Sequence, residues 1–137
     1  MSEVSFDDLE PSEDHSVLEY QGVPFTGLAV EYGEAGSRIA ETHFVDGQRC
    51  GTAKEWNATG RLIAEQGYLL NSLNGQARTW FEDGKQKSDA TYELGICVAK
   101  REWDATGALT SDYRLAESDP QFKTLQRLRE LYGRART

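Results

Sequence analysis

The sequence predicts a mainly β protein: an elongated, twisted antiparallel sheet of stacked β-hairpins with a C-terminal capping α-helix. Three observations carry this. A turn glycine recurs at Gly36, Gly60, Gly84 and Gly107, at spacings of 24, 24 and 23 residues. An aromatic keeps the same beat just ahead of it, at Tyr32, Trp56, Trp80 and Trp103. The final stretch, "SDPQFKTLQRLRELYGRART", carries an apolar stripe at helical spacing instead.

The chain opens on an acidic segment. Residues 1–20 hold seven acidic and no basic side chains, out of a net charge of −8 for all 137 residues. Residues 1–19 are therefore expected to form a solvated, partly disordered arm. This start has neither a basic n-region nor an apolar h-region, and no apolar run approaches the ~20 residues of a membrane helix. A cytoplasmic location is expected. An acidic balance also argues against nucleic acid and against stable membrane association, since both reward clustered Lys and Arg.

Hairpin units follow over residues 20–115: a half unit at 20–26, then 27–50, 51–74, 75–97 and 98–115. A second aromatic series, Tyr20, Phe44, Tyr68 and Tyr92, ends at Leu115, and a glycine opens three units at Gly27, Gly51 and Gly75, with Val98 in the fourth. "NATG" at 57–60 and "DATG" at 104–107 put Asx at the first turn position and Gly at the fourth, which fits a type I turn followed by a left-handed glycine, a bulged hairpin loop. A lone hairpin cannot bury its aromatic side. Stacked units are expected to do so, each Trp or Tyr packing on its counterpart one rung away, and an open edge near Tyr20 leaves the chain a monomer or an edge-paired dimer.

At residues 118–133 a helix is expected. Ser118 or Asp119 can cap it, Phe122, Leu125, Leu128, Leu131 and Tyr132 form its stripe, and Gly133 can stop it. It is expected to lie over the last hairpin and hide the open sheet edge.

Candidate chemistry is sparse. His15 and His43 have no partner at triad or ligand spacing, and no phosphate-cradling glycine loop occurs. Cys50 and Cys97 hold equivalent positions two units apart, four strands or roughly 19 Å, which exceeds the reach of a disulfide. Two free thiols and no metal or other cofactor are expected. The remaining series is acidic. Glu41, Glu65, Asp89 and Asp112 keep the period, and Glu31, Glu55 and Glu102 precede three of the aromatics. All seven are expected on one face, opposite the Trp and Tyr side chains. Such a face is either plainly solvated or a negative strip that captures a cationic protein.

The units "GTAKEWNATGRLIAEQGYLLNSLN" and "GQARTWFEDGKQKSDATYELG" resemble the variant MORN repeat, with its opening glycine, Trp or Tyr, turn glycine and later aromatic. The resemblance spans about residues 20 to 115. It departs at Gly33–Glu34 in the first turn, at Val98 and at Leu115. It implies a hairpin-repeat sheet. It also implies a bacterial antitoxin or immunity protein of the YwqK-like kind, non-enzymatic, neutralising a partner toxin, a basic toxin domain, by direct binding and occlusion. Other MORN proteins imply a general scaffold or membrane-associated adaptor instead. A hydrolase using paired acids is the third possibility and has the least in the spacing to support it.

Overall fold

A computed structural model of the chain describes residues 2–136, with the backbone alone for 133–136. The N-terminal segment contains β1 (Ser2–Ser5), a 3-10 turn (Phe6–Asp8), β2 (Glu10–Pro11), β3 (Leu18–Tyr20) and β4 (Val23–Pro24). Four hairpins follow: β5 (Gly27–Tyr32) with β6 (Arg38–Val45), β7 (Gln48–Trp56) with β8 (Leu62–Leu69), β9 (Ser72–Trp80) with β10 (Gln86–Glu93), and β11 (Ile96–Trp103) with β12 (Leu109–Arg114). Helix α1 (Pro120–Arg136) closes the chain. Nine strands form one sheet in the order β1-β5-β6-β7-β8-β9-β10-β11-β12, and β2, β3 and β4 form a small second sheet.

Two kinds of turn alternate along the sheet. In the longer ones, Asn57 Oδ1 accepts from the Thr59 and Arg61 backbone N–H groups at 3.1 and 3.0 Å, and Asp104 Oδ1 accepts likewise from Thr106 and Ala108. These Asx contacts replace bonds that the bent backbone cannot make to itself. The shorter turns, at Asp46–Gly47, Leu70–Asn71 and Leu94–Gly95, hold both central residues at positive φ. That left-handed pair matches the twist of the flanking strands.

Beside each longer turn the second strand carries one extra residue, because Trp56 faces Leu62 while Glu55 faces Ala64. The same bulge recurs at Ile39, Lys87 and Thr110. A second irregularity falls at the opening glycines, where Gly51 and Gly75 hold φ of +99° and +91°. Bulges of this kind raise the local twist.

The acidic arm expected at residues 1–19 is instead folded onto the sheet. β1 runs parallel to β5, with Ser2 beside Gly27 and Ser5 beside Val30. Phe6, Leu9, Leu18 and Tyr20 pack on a buried nucleus of Phe25, Ala29 and Phe44. Apolar side chains spaced among the acids outweigh the solvation of the charges, which stay at the surface. The half unit at 20–26 is the β3–β4 hairpin of the small sheet, so Tyr20 is not at an open edge of the large one.

Nor do the tryptophans stack. Among the described residues the ring pairs are Phe6–Phe44, Tyr20–Phe25 and Phe25–Phe44, at 6.0 to 6.3 Å. Equivalent residues two strands apart lie about 9–10 Å from each other, beyond the ~7 Å limit of ring contact.

Asp119 caps α1, its Oδ1 accepting the Gln121 backbone N–H at 2.9 Å. The helix passes Gly133 and ends at Arg136. Leu125 is its anchor, 1% exposed. Leu128 and Tyr132 border a small hollow with Leu69, Leu70 and Leu94 at the short-turn end, and Arg129 grips Glu93. The helix thus caps the ends of β8 to β10, not the outer edge of the last hairpin. All six residues of β12 remain exposed.

Candidate functional site

Residues directly opposite on antiparallel strands share a face, and successive residues along a strand change faces. One cross-strand row reads Glu41, Lys54, Glu65, Arg78, Asp89, Arg101, Asp112. The expected acidic series is therefore interleaved with bases in an alternating ladder. Arg78 and Asp89 lie 3.5 Å apart, as do Arg101 and Asp112. Arg38 ties Glu41 at 2.9 Å and Glu3 at 2.5 Å, fastening β1 to the same face. This row is no negative strip.

Nor do the seven acids share a face. Glu55 stands opposite Ala40 and Ala64, and Glu102 opposite Ser88 and Ser111, one row along from the ladder. Glu31, Glu55 and Glu102 thus point away from Glu41, Glu65, Asp89 and Asp112. The ladder lies on the tryptophan face, because Lys54, Arg78 and Arg101 each precede a Trp by two residues. The bulge beside every longer turn is the reason. One extra residue in the second strand transfers Glu65 and its equivalents to the other face.

The opposite face carries the candidate site. A cleft of about 460 Å³ lies between the folded N-terminal segment and β5 to β8. Its floor is made of short side chains, Ala40, Thr42, Ala53 and Ala64. Phe6 and residues 15–18 form one wall, and Glu31, Glu55, Gln66 and Tyr68 rise from the sheet. Alanine on successive strands leaves a hollow where larger residues would fill the layer. Glu31 and Glu55 sit in one row with Ala40 between them, two strands or about 9–10 Å apart. Among the described residues neither forms an ion pair, whereas Glu102 is held by Lys100 at 3.2 Å.

The far end of the cleft is basic and rigid. The Arg49 guanidinium lies 4.6 Å from the centre of the Tyr68 ring. Its backbone N–H donates to Asn71 Oδ1 at 2.8 Å, and its Nη2 donates to the Asn71 carbonyl. The hollow therefore has two carboxylates without an ion pair toward one end, Arg49 at the other and a floor of short side chains between, with Lys54 also in its lining. Such a surface can pair with a cationic group at the Glu31–Glu55 end and with an anionic or aromatic group at the Arg49 end.

His15 lines the cleft rim, while His43 is used structurally, its Nδ1–H donating to the Thr52 carbonyl at 2.9 Å. Cys50 and Cys97 are free thiols, both half-buried. Among the described residues no cluster of three His, Cys, Asp or Glu could hold a metal, and no helix is long and apolar enough to cross a membrane. A smaller polar hollow of about 230 Å³ lies over the ladder between Asp89, Arg101, Asp112 and Arg114. Of the basic residues in the C-terminal stretch, Arg129 is paired with Glu93; the side chains of Arg134 and Arg136 lie outside the described residues.

The sequence held periodic signals for these features. The ladder bases Lys54, Arg78 and Arg101 repeat two residues before each Trp, and the floor alanines Ala40 and Ala64 each stand just before an acid of the repeating series, Glu41 and Glu65. What the period could not supply was the side on which each series falls.

No family model matches the chain, and no curated protein matches it. Among solved structures, a crystal structure of TarM is 16% identical, with a TM-score of 0.41, over 69% of this chain and 19% of that one. A mutant S. aureus TarM in complex with fondaparinux, alpha-GlcNAc-glycerol and UDP is 14% identical, with a TM-score of 0.42, over 82% of this chain and 20% of that one. The chain spans about a fifth of the length of these proteins.

Proposed function

We propose that this chain is a non-enzymatic protein-binding module of the cytoplasm. It acts as an immunity or antitoxin protein that neutralises a basic toxin domain by binding and occluding it. The observation that supports this reading is the pair Glu31 and Glu55, two carboxylates without an internal cation over an alanine floor. The folded acidic segment borders the same cleft. Of the protein's net −8, seven negative charges belong to residues 1–20. A net negative field speeds the encounter with a cationic partner. The idea of toxin neutralisation itself comes from the resemblance to variant MORN-repeat proteins.

The test is affinity capture from the native host by three baits: wild type, a Glu31→Lys/Glu55→Lys double variant, and Asp89→Lys as a control on the other face. A basic protein held by wild type and the control, and released by the double variant, supports the reading. Co-expression of the chain should also relieve that protein's toxicity. Capture unchanged in the double variant, or a partner harmless when expressed alone, overturns it.

A further inference from the structure

We propose that two copies of this chain associate through β12, joining their large sheets into one across a two-fold axis at Tyr113. This surface is separate from the cleft and does not depend on the function proposed for it.

The two ends of the nine-stranded sheet are unlike. β1 is a four-residue strand that turns at once into a 3-10 turn, a short end of the kind that discourages pairing. β12 has six residues, all exposed, including Leu109 at 52% and Tyr113 at 37%. It is the last strand of the sheet, so its outer N–H and C=O groups meet no other strand among the described residues.

Charge selects the occupant. Along the ladder each interior charge lies between two of opposite sign, but Asp112 at the end has only Arg101, 3.5 Å away. A ninth antiparallel neighbour would extend the alternation if it set a cation opposite Asp112. The strand carries that cation itself, two residues on, at Arg114. An antiparallel second copy centred on Tyr113 places Asp112 opposite Arg114 of the other copy, and Arg114 opposite its Asp112. Both pairs fall on the ladder face. The two Tyr113 rings meet on the other face as a directly opposed cross-strand pair. The sequence Asp112-Tyr113-Arg114 is thus self-complementary, as a two-fold interface requires.

The experiment is sedimentation velocity on the full chain over a concentration series, with Asp112→Arg and Arg114→Asp examined separately and mixed. Wild type should show a concentration-dependent dimer. Each variant alone sets like charges opposite each other and should weaken the dimer about tenfold or more. The equimolar mixture restores both opposite-charge pairs and should form a heterodimer about as tight as wild type. Deuterium uptake at 109–114 in the wild-type chain, slower at high concentration than at low, checks the same surface without any substitution. A chain that stays monomeric up to about 1 mM, a dimer indifferent to both reversals, a mixture that fails to associate although both variants are folded, or uptake at 109–114 independent of concentration overturns the proposal.

Discussion

Asp89 sits directly opposite Arg78 across β10 and β9, with Oδ1 3.5 Å from Nε. The two are close enough to attract but are not aligned as a hydrogen bond, and Arg78 Nε is buried without another acceptor. Ladder pairs such as this make the tryptophan face electrically quiet. On the cleft face Glu31 and Glu55 form no ion pair among the described residues.

Reversing one rung should therefore be felt as stability rather than as binding. Asp89→Lys sets three cations in a row, Arg78, Lys and Arg101. Urea denaturation should show a loss of about 1 kcal/mol, with Asp89→Asn costing less than half of that. A loss in Asp89→Asn as large as in Asp89→Lys would mean that repulsion along the row is not the cause.

Gly27 should resist any side chain. Its φ is +149°, and a Cβ there would overlap the Ser2 carbonyl and come within 2.9 Å of the Phe25 ring. Gly27→Ala is expected to cost roughly 2–3 kcal/mol. It should also release β1, read as faster amide exchange at Val4 and Ser5. Unchanged exchange there would show that the N-terminal strand is held by other contacts.

Leu125 should carry most of the docking of α1. It is 1% exposed, while Leu131 on the same helix is 60% exposed. Leu125→Ala should cost about 3 kcal/mol and Leu131→Ala under about 0.5 kcal/mol by thermal or chemical denaturation. Equal effects would mean that the helix is seated on another face.

Acid should loosen the two ends of the molecule in turn. Arg129 holds the Glu93 carboxyl below its ordinary range. The Ser16 hydroxyl, then its backbone N–H and the Ser12 hydroxyl, hold Asp14 down to about 2. Both groups are depressed on folding, so their support is present above the ordinary carboxylate values and fades as pH falls toward the folded ones. The Ser16 amide resonance should titrate with a midpoint near 2, and Ser16→Ala should raise that midpoint toward 3.8. Replacing Glu93 by Gln should remove the acid-linked loosening of α1.

The sequence by itself determined the repeating units. The glycine beat, the Asx-Gly turns and the aromatic series placed four hairpins and a final helix, because turn chemistry and alternation are local. Apolar residues among the acids, Val4, Phe6 and Leu9, were there to be read as well, but whether they fold back depends on Phe25, Ala29 and Phe44 meeting them in space. The sides of the sheet were decided by tertiary structure alone. A single extra residue at Ile63 and its equivalents reverses which way Glu65 points relative to Trp56; the Asx-Gly turn signals a bulged loop, but the register across the two strands decides which residue is the extra one. Pairing register, which is a property of two strands and not of one, therefore turned an expected acidic strip into a ladder of alternating charge and left Glu31 and Glu55 facing the cleft.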